Sequence, residues 1–383
     1  MINKKSTLLV LLVIFIGTSL RLVAASRGHN ADIDGFLKTA EIYASGGNVY
    51  QKIIDFGFGY NYGPVWFNVL SMLQKLTPPF INNIELRWKI PFFLSLIDII
   101  IFLLLKKRYG LLTGLIFYLN PISIIITGYH AQFDNLAILI GFLAVLAIDG
   151  QAVFKKKRPI LGVFLLGASL ATKHLLFLFP IWLAIKQDTW RKKLFFISIP
   201  YIIFFTSFTF YLPEGYEGIL KNVFFYKSFN NAPFWTIFAP NLLLILIPKI
   251  LLFVLTLFLL GFIWRKKSTI DSFYFYLVSL VVFSSAITNQ YLSIPCLPIA
   301  VLWNWAYGIY ILVTSLYLSF HFDGLHLVKM ELNYGYESCI LFLTLGLLIS
   351  SLGKNLTFKI VKVIKYTFTW LKNEANIQLK LPW

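Results

Sequence analysis

Long apolar runs recur along the whole chain, and short clusters of lysine and arginine separate them. A bilayer's hydrocarbon core, roughly 30 Å thick, takes about 20 consecutive apolar residues in a helix. Only helices and closed barrels satisfy their backbone polar groups there. The runs here are continuous rather than alternating, which disfavours a barrel. Charged residues make up 13% of the chain and hydrophobic residues 58%. A soluble domain carries about 25% charged residues. An ordinary cytosolic enzyme, a disordered chain and a coiled coil are therefore excluded, and the expected fold class is all-α, a polytopic helical membrane protein.

The net charge of +18 reads as topology rather than nucleic-acid binding. Basic residues gather at Lys4-Lys5, Lys106–Arg108, Lys155–Arg158, Lys186 with Arg191–Lys193, Arg265–Lys267 and in the C-terminal tail, which together hold 22 of the 34. Cytoplasmic loops collect such residues. Twelve spans fit that side assignment, at about 8–25, 90–105, 111–127, 135–149, 160–172, 174–185, 194–212, 238–263, 272–288, 292–305, 307–320 and 338–353, with both termini cytoplasmic. The first is read as an uncleaved span, although Ala24-Ala25-Ser26 resembles a signal-peptide end. The apolar stretch 64–77 would break the charge pattern if it crossed, so it is expected to lie on the outer surface. The tail places Lys359, Lys362 and Lys365 among apolar residues, as an interfacial helix would. The simplest division is one membrane domain over 1–383, with most motif-like residues in 1–212, further helices in 213–353 and a basic interfacial tail at 354–383. A bacterial or archaeal plasma membrane is expected, with the endoplasmic reticulum as the alternative.

On this topology the polar residues collect on the outer face: the loop 26–89, Gly128–Asn135, Lys173-His174 and Asn289–Tyr291, joined by the loops 213–237 and 321–337. All five histidines fall there. Asp32 and Asp34 follow the first span, two residues apart. They read as a base and its helper, as metal ligands, or as a solvated acidic turn. Arg21 lies near the outer end of span one, as a snorkelling residue or a phosphate contact. His130, Gln132 and Asp134 precede span four, where Asp134 or Asn135 reads equally as a cap. Lys173 beside His174 suits a lipid phosphate or simple snorkelling. Asp98 is expected to be paired inside the bundle or to line a cavity. His321 and His326 lack a third ligand for zinc. Cys296 and Cys339 give no disulfide framework.

Several segments, in order, resemble the GT-C superfamily of glycosyltransferases that use polyprenyl-phosphate sugars. ADIDGFLKTAEIYASGGNVY, from Ala31 to Tyr50, resembles the acidic D-x-D or D-x-E that follows span one. FGYNYGPV resembles the aromatic segment opening a surface helix, with Pro64 suited to a first turn. GYHAQFDN resembles the second outer-loop motif, and ATKHLLFLFP the segment with a lysine and a spaced proline. ITNQYLSIPCLPI is similar to a late S-Q-Y motif of GPI mannosyltransferase I catalytic subunits, and bacterial and archaeal polyprenol-phosphate-mannose mannosyltransferases are the other relatives it suggests.

The resemblance implies a GT-C-like fold of about 12 helices and an inverting transfer of a hexose; for the sugar, mannose is expected first, with glucose, galactose or the pentose arabinose behind it. The donor would be a polyprenyl-phosphate carrier, the acceptor a lipid, glycan or protein, and the site the non-cytoplasmic face. Asp32 is implied as base and Asp34 as its helper. Lys173 and His174 would hold the donor phosphate, with Arg21 and His130 beside them. Gln132 and Asp134 would shape the pocket, and Gln290 and Tyr291 would contact sugar or phosphate. Rings at Tyr43, Tyr60, Tyr62 and Trp66 would stack on sugar or anchor at the interface. No cofactor is required by this chemistry; a divalent cation, Mg or Mn, at Asp32 and Asp34 is the one candidate. An oligosaccharide polymerase or ligase and a lipid-linked glycan flippase or transporter are the alternatives, although no inverted repeat is visible.

Overall fold

The computed structural model describes residues 4–55, 58–76, 85–226, 231–239, 247–321, 324–325, 327 and 335–352. The basic tail and His326 lie outside the described residues, as does part of the expected span 238–263. The described chain is almost entirely helical. The exception is a short antiparallel pair, β1 (Ile53–Asp55) and β2 (Phe58–Gly59).

The apolar runs fold as helices close to where they are expected. α1 is Lys4–Ser26, and α2 (Ala31–Ala44) and α3 (Pro64–Lys75) follow it. α3 begins on Pro64, whose missing N–H costs nothing at a first turn. Twelve residues rise only about 18 Å, so α3 is too short to cross, in keeping with its non-spanning reading. α4 (Leu86–Tyr109) ends at Gly110, whose φ of +95° turns the chain into α5 (Leu111–Tyr118). α6 (Pro121–Gly128) follows a 47° bend, and the Asn120 side chain caps it by accepting from Ile122 N. α7 is Asp134–Asp149 and α8 is Pro159–Thr172. A 3₁₀ turn at His174–Leu176 leads to α9 (Phe179–Ile185), and the direction changes by 119° across this break. α10 (Trp190–Thr206), α11 (Leu212–Gly218) and α12 (Pro233–Phe238) precede α13 (Lys249–Ile263) and α14 (Thr269–Val282). A 3₁₀ helix, Asn289–Ser293, introduces α15 (Cys296–Val301), α16 (Trp305–Phe320) and α17 (Gly335–Leu352).

Among the described residues, four helices are long and apolar enough to cross a membrane, or up to six if each bent pair is one span. Other expected segments form shorter apolar helices, among them Lys249–Ile263, Thr269–Val282 and Trp305–Phe320. The expected spans 160–172 and 174–185 are two arms of a sharp bend. The 14 residues of α8 rise about 21 Å, short of a hydrocarbon core.

Large apolar side chains stay exposed along α1, α10 and α13, among them Phe15, Ile202, Phe205, Phe258 and Phe262. A helix bundle bathed in hydrocarbon presents such a surface. Inside, one continuous apolar core joins the helices. A polar junction is set into it. Arg21 of α1 places Nε 3.0 Å from Asp98 Oδ2 of α4. Its Nη1 donates to the Gly17 and Tyr118 carbonyls and its Nη2 to Ser123 Oγ. Thr127 Oγ1 donates to Asp98 Oδ2, and Asn135 Nδ2 donates to Asp98 Oδ1. Both charges are fully buried, so their pairing satisfies the requirement that a buried charge be matched. The junction ties α1, α4, α6 and α7 together.

Residues of the basic clusters at 106–108, 155–158, 186 and 265–267 lie toward one end of the bundle. Gly150, with φ +67°, closes α7 against the backbone of Lys156 and Lys157. Lys186 Nζ donates to the Lys267 carbonyl and, at 2.7 Å, to Ser272 Oγ. Tyr109 and Tyr274 share a hydrogen bond of 3.0 Å beside Arg108. α7 runs from Asp134 to Asp149, about 24 Å. That length separates the basic end from the end that carries Asp134.

Candidate active site

At the far end of α7 from the basic clusters, two polar groups share one wall of aromatic rings. The first is built on α2. Asp32 stands in the first turn of that helix, where the dipole favours a carboxylate. Its Oδ2 accepts from Asn30 Nδ2 at 3.0 Å and from Gln132 Nε2. Asn30 Nδ2 also lies 3.0 Å from His130 Nδ1. His130 and Gln132 flank Ala131, which has φ +48°, a left-handed backbone conformation unusual for a residue with a Cβ. That turn brings Gln132 to the Asp32 carboxylate and His130 to the Asn30 amide beside it. Burial lowers the His130 pKa to about 4, so the ring is neutral at ordinary pH.

The second group is an ion pair. Lys173 Nζ is 2.7 Å from Asp134 Oδ2, and both side chains are buried. Lys173 is extended (φ −151°, ψ 128°) at the break between α8 and the 3₁₀ turn. Tyr276 of α14 secures that break, donating to the Leu175 carbonyl and accepting from Leu178 N. Asp134 therefore pairs with a cation instead of capping its helix; Phe133 holds the cap position. Asn135 likewise faces Asp98 and the Leu94 carbonyl.

The ring wall joins the two groups. Lys173 Nζ sits 5.0 Å from the Phe133 ring centre and 5.1 Å from that of Tyr62, within cation–π range. Trp66 stacks on Phe133 with centroids 4.2 Å apart and planes 9° from parallel. Tyr62 meets Phe133 edge-on at 4.9 Å. Burial, with Asp32 and Asp134 nearby, holds the Tyr62 hydroxyl pKa well above its usual value. Tyr62 thus lies within the field of both carboxylates as a protonated hydroxyl. Gly63 presses its α-carbon side against the Ala171 carbonyl at the end of α8, a place with no room for a Cβ. This contact seats the Tyr62 loop over the Lys173 break.

The late segment also arrives here. Tyr291 lies in the 3₁₀ helix Asn289–Ser293, close enough to Asp134 for their charges to interact, and Gln290 precedes it. Tyr310 donates to the Leu292 carbonyl and Tyr336 to Asn289 Oδ1, which holds the segment in place.

Several buried polar atoms around these groups have no hydrogen-bond partner among the described residues: Trp66 Nε1, His130 Nε2, Gln132 Oε1, Asp134 Oδ1 and His174 Nδ1. Buried polar groups in folded proteins are nearly always paired. Such a set marks where a polar ligand or water belongs.

Of the residues expected from the sequence, Asp32, His130, Gln132, Asp134, Lys173 and Tyr291 converge, with His174 and Gln290 adjoining. Asp34 does not join them. Residues two apart on a helix point about 200° apart, and the Asp34 carboxylate, 61% exposed, bonds His29 Nε2 at 2.9 Å. A divalent ion shared by Asp32 and Asp34 does not fit this arrangement, and no group of three His, Cys, Asp or Glu suited to a metal occurs among the described residues. Arg21 is committed to Asp98 and its neighbours rather than to this cluster. Tyr43 bonds Asn68, and Tyr60 donates to the Gly63 carbonyl within a packed ring cluster. Sequence reasoning missed Asn30 and Phe133. Asn30 had only its place two residues before Asp32 as a signal, and Phe133 only its place between Gln132 and Asp134.

No family model matches the sequence, and no curated protein matches it. Among solved structures, the chain is similar to ArnT from Cupriavidus metallidurans bound to undecaprenyl phosphate. That likeness has 12% identity and a TM-score of 0.51 and covers 89% of this chain and 76% of that one. The apo state of ArnT gives 12% identity and a TM-score of 0.49, covering 90% and 76%. At such identity the first likeness bears on architecture: the chain has the helical membrane fold of that ArnT structure.

Proposed function

We propose that the chain is an inverting glycosyltransferase that moves a hexose, mannose in the first instance, from a polyprenyl-phosphate carrier to a lipid, glycan or protein acceptor. The observation that carries this reading is the convergence of the Asp32 carboxylate and the Lys173 cation on one ring wall. An acceptor hydroxyl attacks the anomeric carbon and gives its proton to Asp32. The bond from that carbon to the phosphate oxygen breaks, and the electron pair leaves with the phosphate. Lys173 offsets the charge that develops there. Attack opposite the leaving group inverts the centre through an oxocarbenium-like transition state. Gln132 and Asn30 orient Asp32, and Asp134 holds Lys173 until phosphate arrives. His174, Gln290 and Tyr291 line the donor's approach.

The fold supports the carrier class, since ArnT binds undecaprenyl phosphate. The basic end supports a cytoplasmic placement of the clusters near Asp149, and hence a site on the non-cytoplasmic face with both termini inside. The test is release of undecaprenyl phosphate from its mannose, glucose, galactose and arabinose conjugates by protein in nanodiscs, with membrane lipid extract as acceptor. Release lost in Asp32→Asn supports the reading. Absence of release from every conjugate sinks it.

A further inference from the structure

We propose that His130 is an uncharged hydrogen-bond donor, through Nε2–H, to an oxygen of the bound sugar carrier, and that Asn30 is the positioning residue that fixes this tautomer. The inference rests on the reading of the Asp32 cluster as the substrate site. Asn30 reaches Asp32 Oδ2 and His130 Nδ1 with the same side-chain nitrogen, each at 3.0 Å. The Asp32 carboxylate sets the orientation of that amide, with Asn30 Oδ1 left as a buried acceptor that has no partner among the described residues. Turned over, it would set its own oxygen against the Asp32 carboxylate. An amide nitrogen donates and does not accept. His130 Nδ1 must therefore accept, which leaves it without a proton. A neutral imidazole with a bare Nδ1 carries its proton on Nε2.

His130 is 2% exposed, and its Nε2 has no partner among the described residues. A buried N–H without an acceptor is costly, and a ligand oxygen resolves it. The groups around the ring do not favour a charge. The ring meets the Asn30 amide, which also bonds Asp32, and the Tyr129 ring, edge-on at 5.4 Å. Burial, which lowers the pKa, reinforces the geometry. Lys173 then supplies the cation for the phosphate, and His130 reads an oxygen by direction rather than by charge.

Nitrogen-15 NMR of histidine-labelled protein in nanodiscs tests the tautomer without any activity. The His130 signal, identified by its loss in His130→Gln, is expected to show neutral Nε2–H from pH 8 to about 5. Asn30→Asp, whose carboxylate accepts, is expected to move the proton to Nδ1. An imidazolium or an Nδ1–H form in the wild type at pH 7 overturns the proposal. Binding is read with undecaprenyl phosphate and undecaprenyl-phosphate-mannose. His130→Phe is expected to weaken it roughly three- to tenfold, the worth of one neutral hydrogen bond, while His130→Gln keeps the donor. Loss on both lipids assigns the phosphoryl oxygen, and loss only on the mannose conjugate assigns a sugar hydroxyl. Wild-type affinity for both lipids in His130→Phe overturns the donor role. A wild type that binds neither lipid overturns the functional reading, and the tautomer result then stands or falls by itself.

Discussion

Lys173 Nζ and Asp134 Oδ2 are 2.7 Å apart, both buried, and both reach each other from the ends of helices. Removing one partner leaves an uncompensated buried charge, which costs about 3–5 kcal/mol. Lys173→Met and Asp134→Asn are therefore expected to lower the melting temperature clearly. The double variant Lys173→Met/Asp134→Leu is expected to recover most of that loss while failing to transfer. Melting curves beside a transfer assay separate the two effects, and a double variant as unstable as the singles would refute the argument.

The two acidic residues of α2 should behave unequally. Asp32→Asn is expected to reduce transfer by roughly 10²–10⁴-fold, the usual worth of a positioned base. Asp34, exposed and facing His29, should tolerate Asn with little change in rate. Chelation with EDTA is expected to leave that comparison unaltered, because the two carboxylates do not converge. Equal losses in both variants would show that they act together.

Much of this arrangement was legible in the sequence, and the reason is local. Asp32, Gln132, Lys173 and Tyr291 stand in short polar islands between apolar runs, where a polar residue has few structural reasons to be. The apolar runs likewise marked the helices. What could not be read was direction. Asp32 and Asp34 look equivalent until α2 turns them apart, and Arg21 looks like a phosphate ligand until Asp98 meets it across 77 residues. Asn30 gains its second partner from His130, 100 residues later, which folds against it. Bends were hidden for a related reason: hydropathy registers an apolar segment but not the break that splits it, as at Lys173.

The Arg21–Asp98 junction predicts a stability effect without a catalytic one. Arg21→Lys keeps a charge but loses the planar fork that bonds Asp98, Gly17, Tyr118 and Ser123 at once. It should lower the melting temperature, and so should Asp98→Ala, which removes one partner of a buried pair at a cost of about 3–5 kcal/mol in stability. The KM for the lipid donor should stay near wild type in whatever fraction folds. A raised KM with unchanged melting would instead make Arg21 a substrate contact.

His130 gives a pH signature. Its pKa falls from 6.5 in the unfolded chain to about 4 in the folded protein. Between those values the unfolded state takes up a proton that the folded state refuses, so stability declines as pH drops through that window. The loss approaches about 3 kcal/mol near pH 4. Melting temperatures from pH 7.5 to 4.5 should fall more steeply for wild type than for His130→Gln. Parallel curves would contradict the burial of a neutral ring.

Gly63 has no room for a Cβ against the Ala171 carbonyl, and this makes the aromatic loop and the α8 break one unit of exchange. A chimera that transplants the loop alone, into a chain with any side chain at that position, would lift Tyr62 away from the lysine. Recombination and engineering can then vary the loop tip, but they must move position 63 and the Ala171–Lys173 turn together.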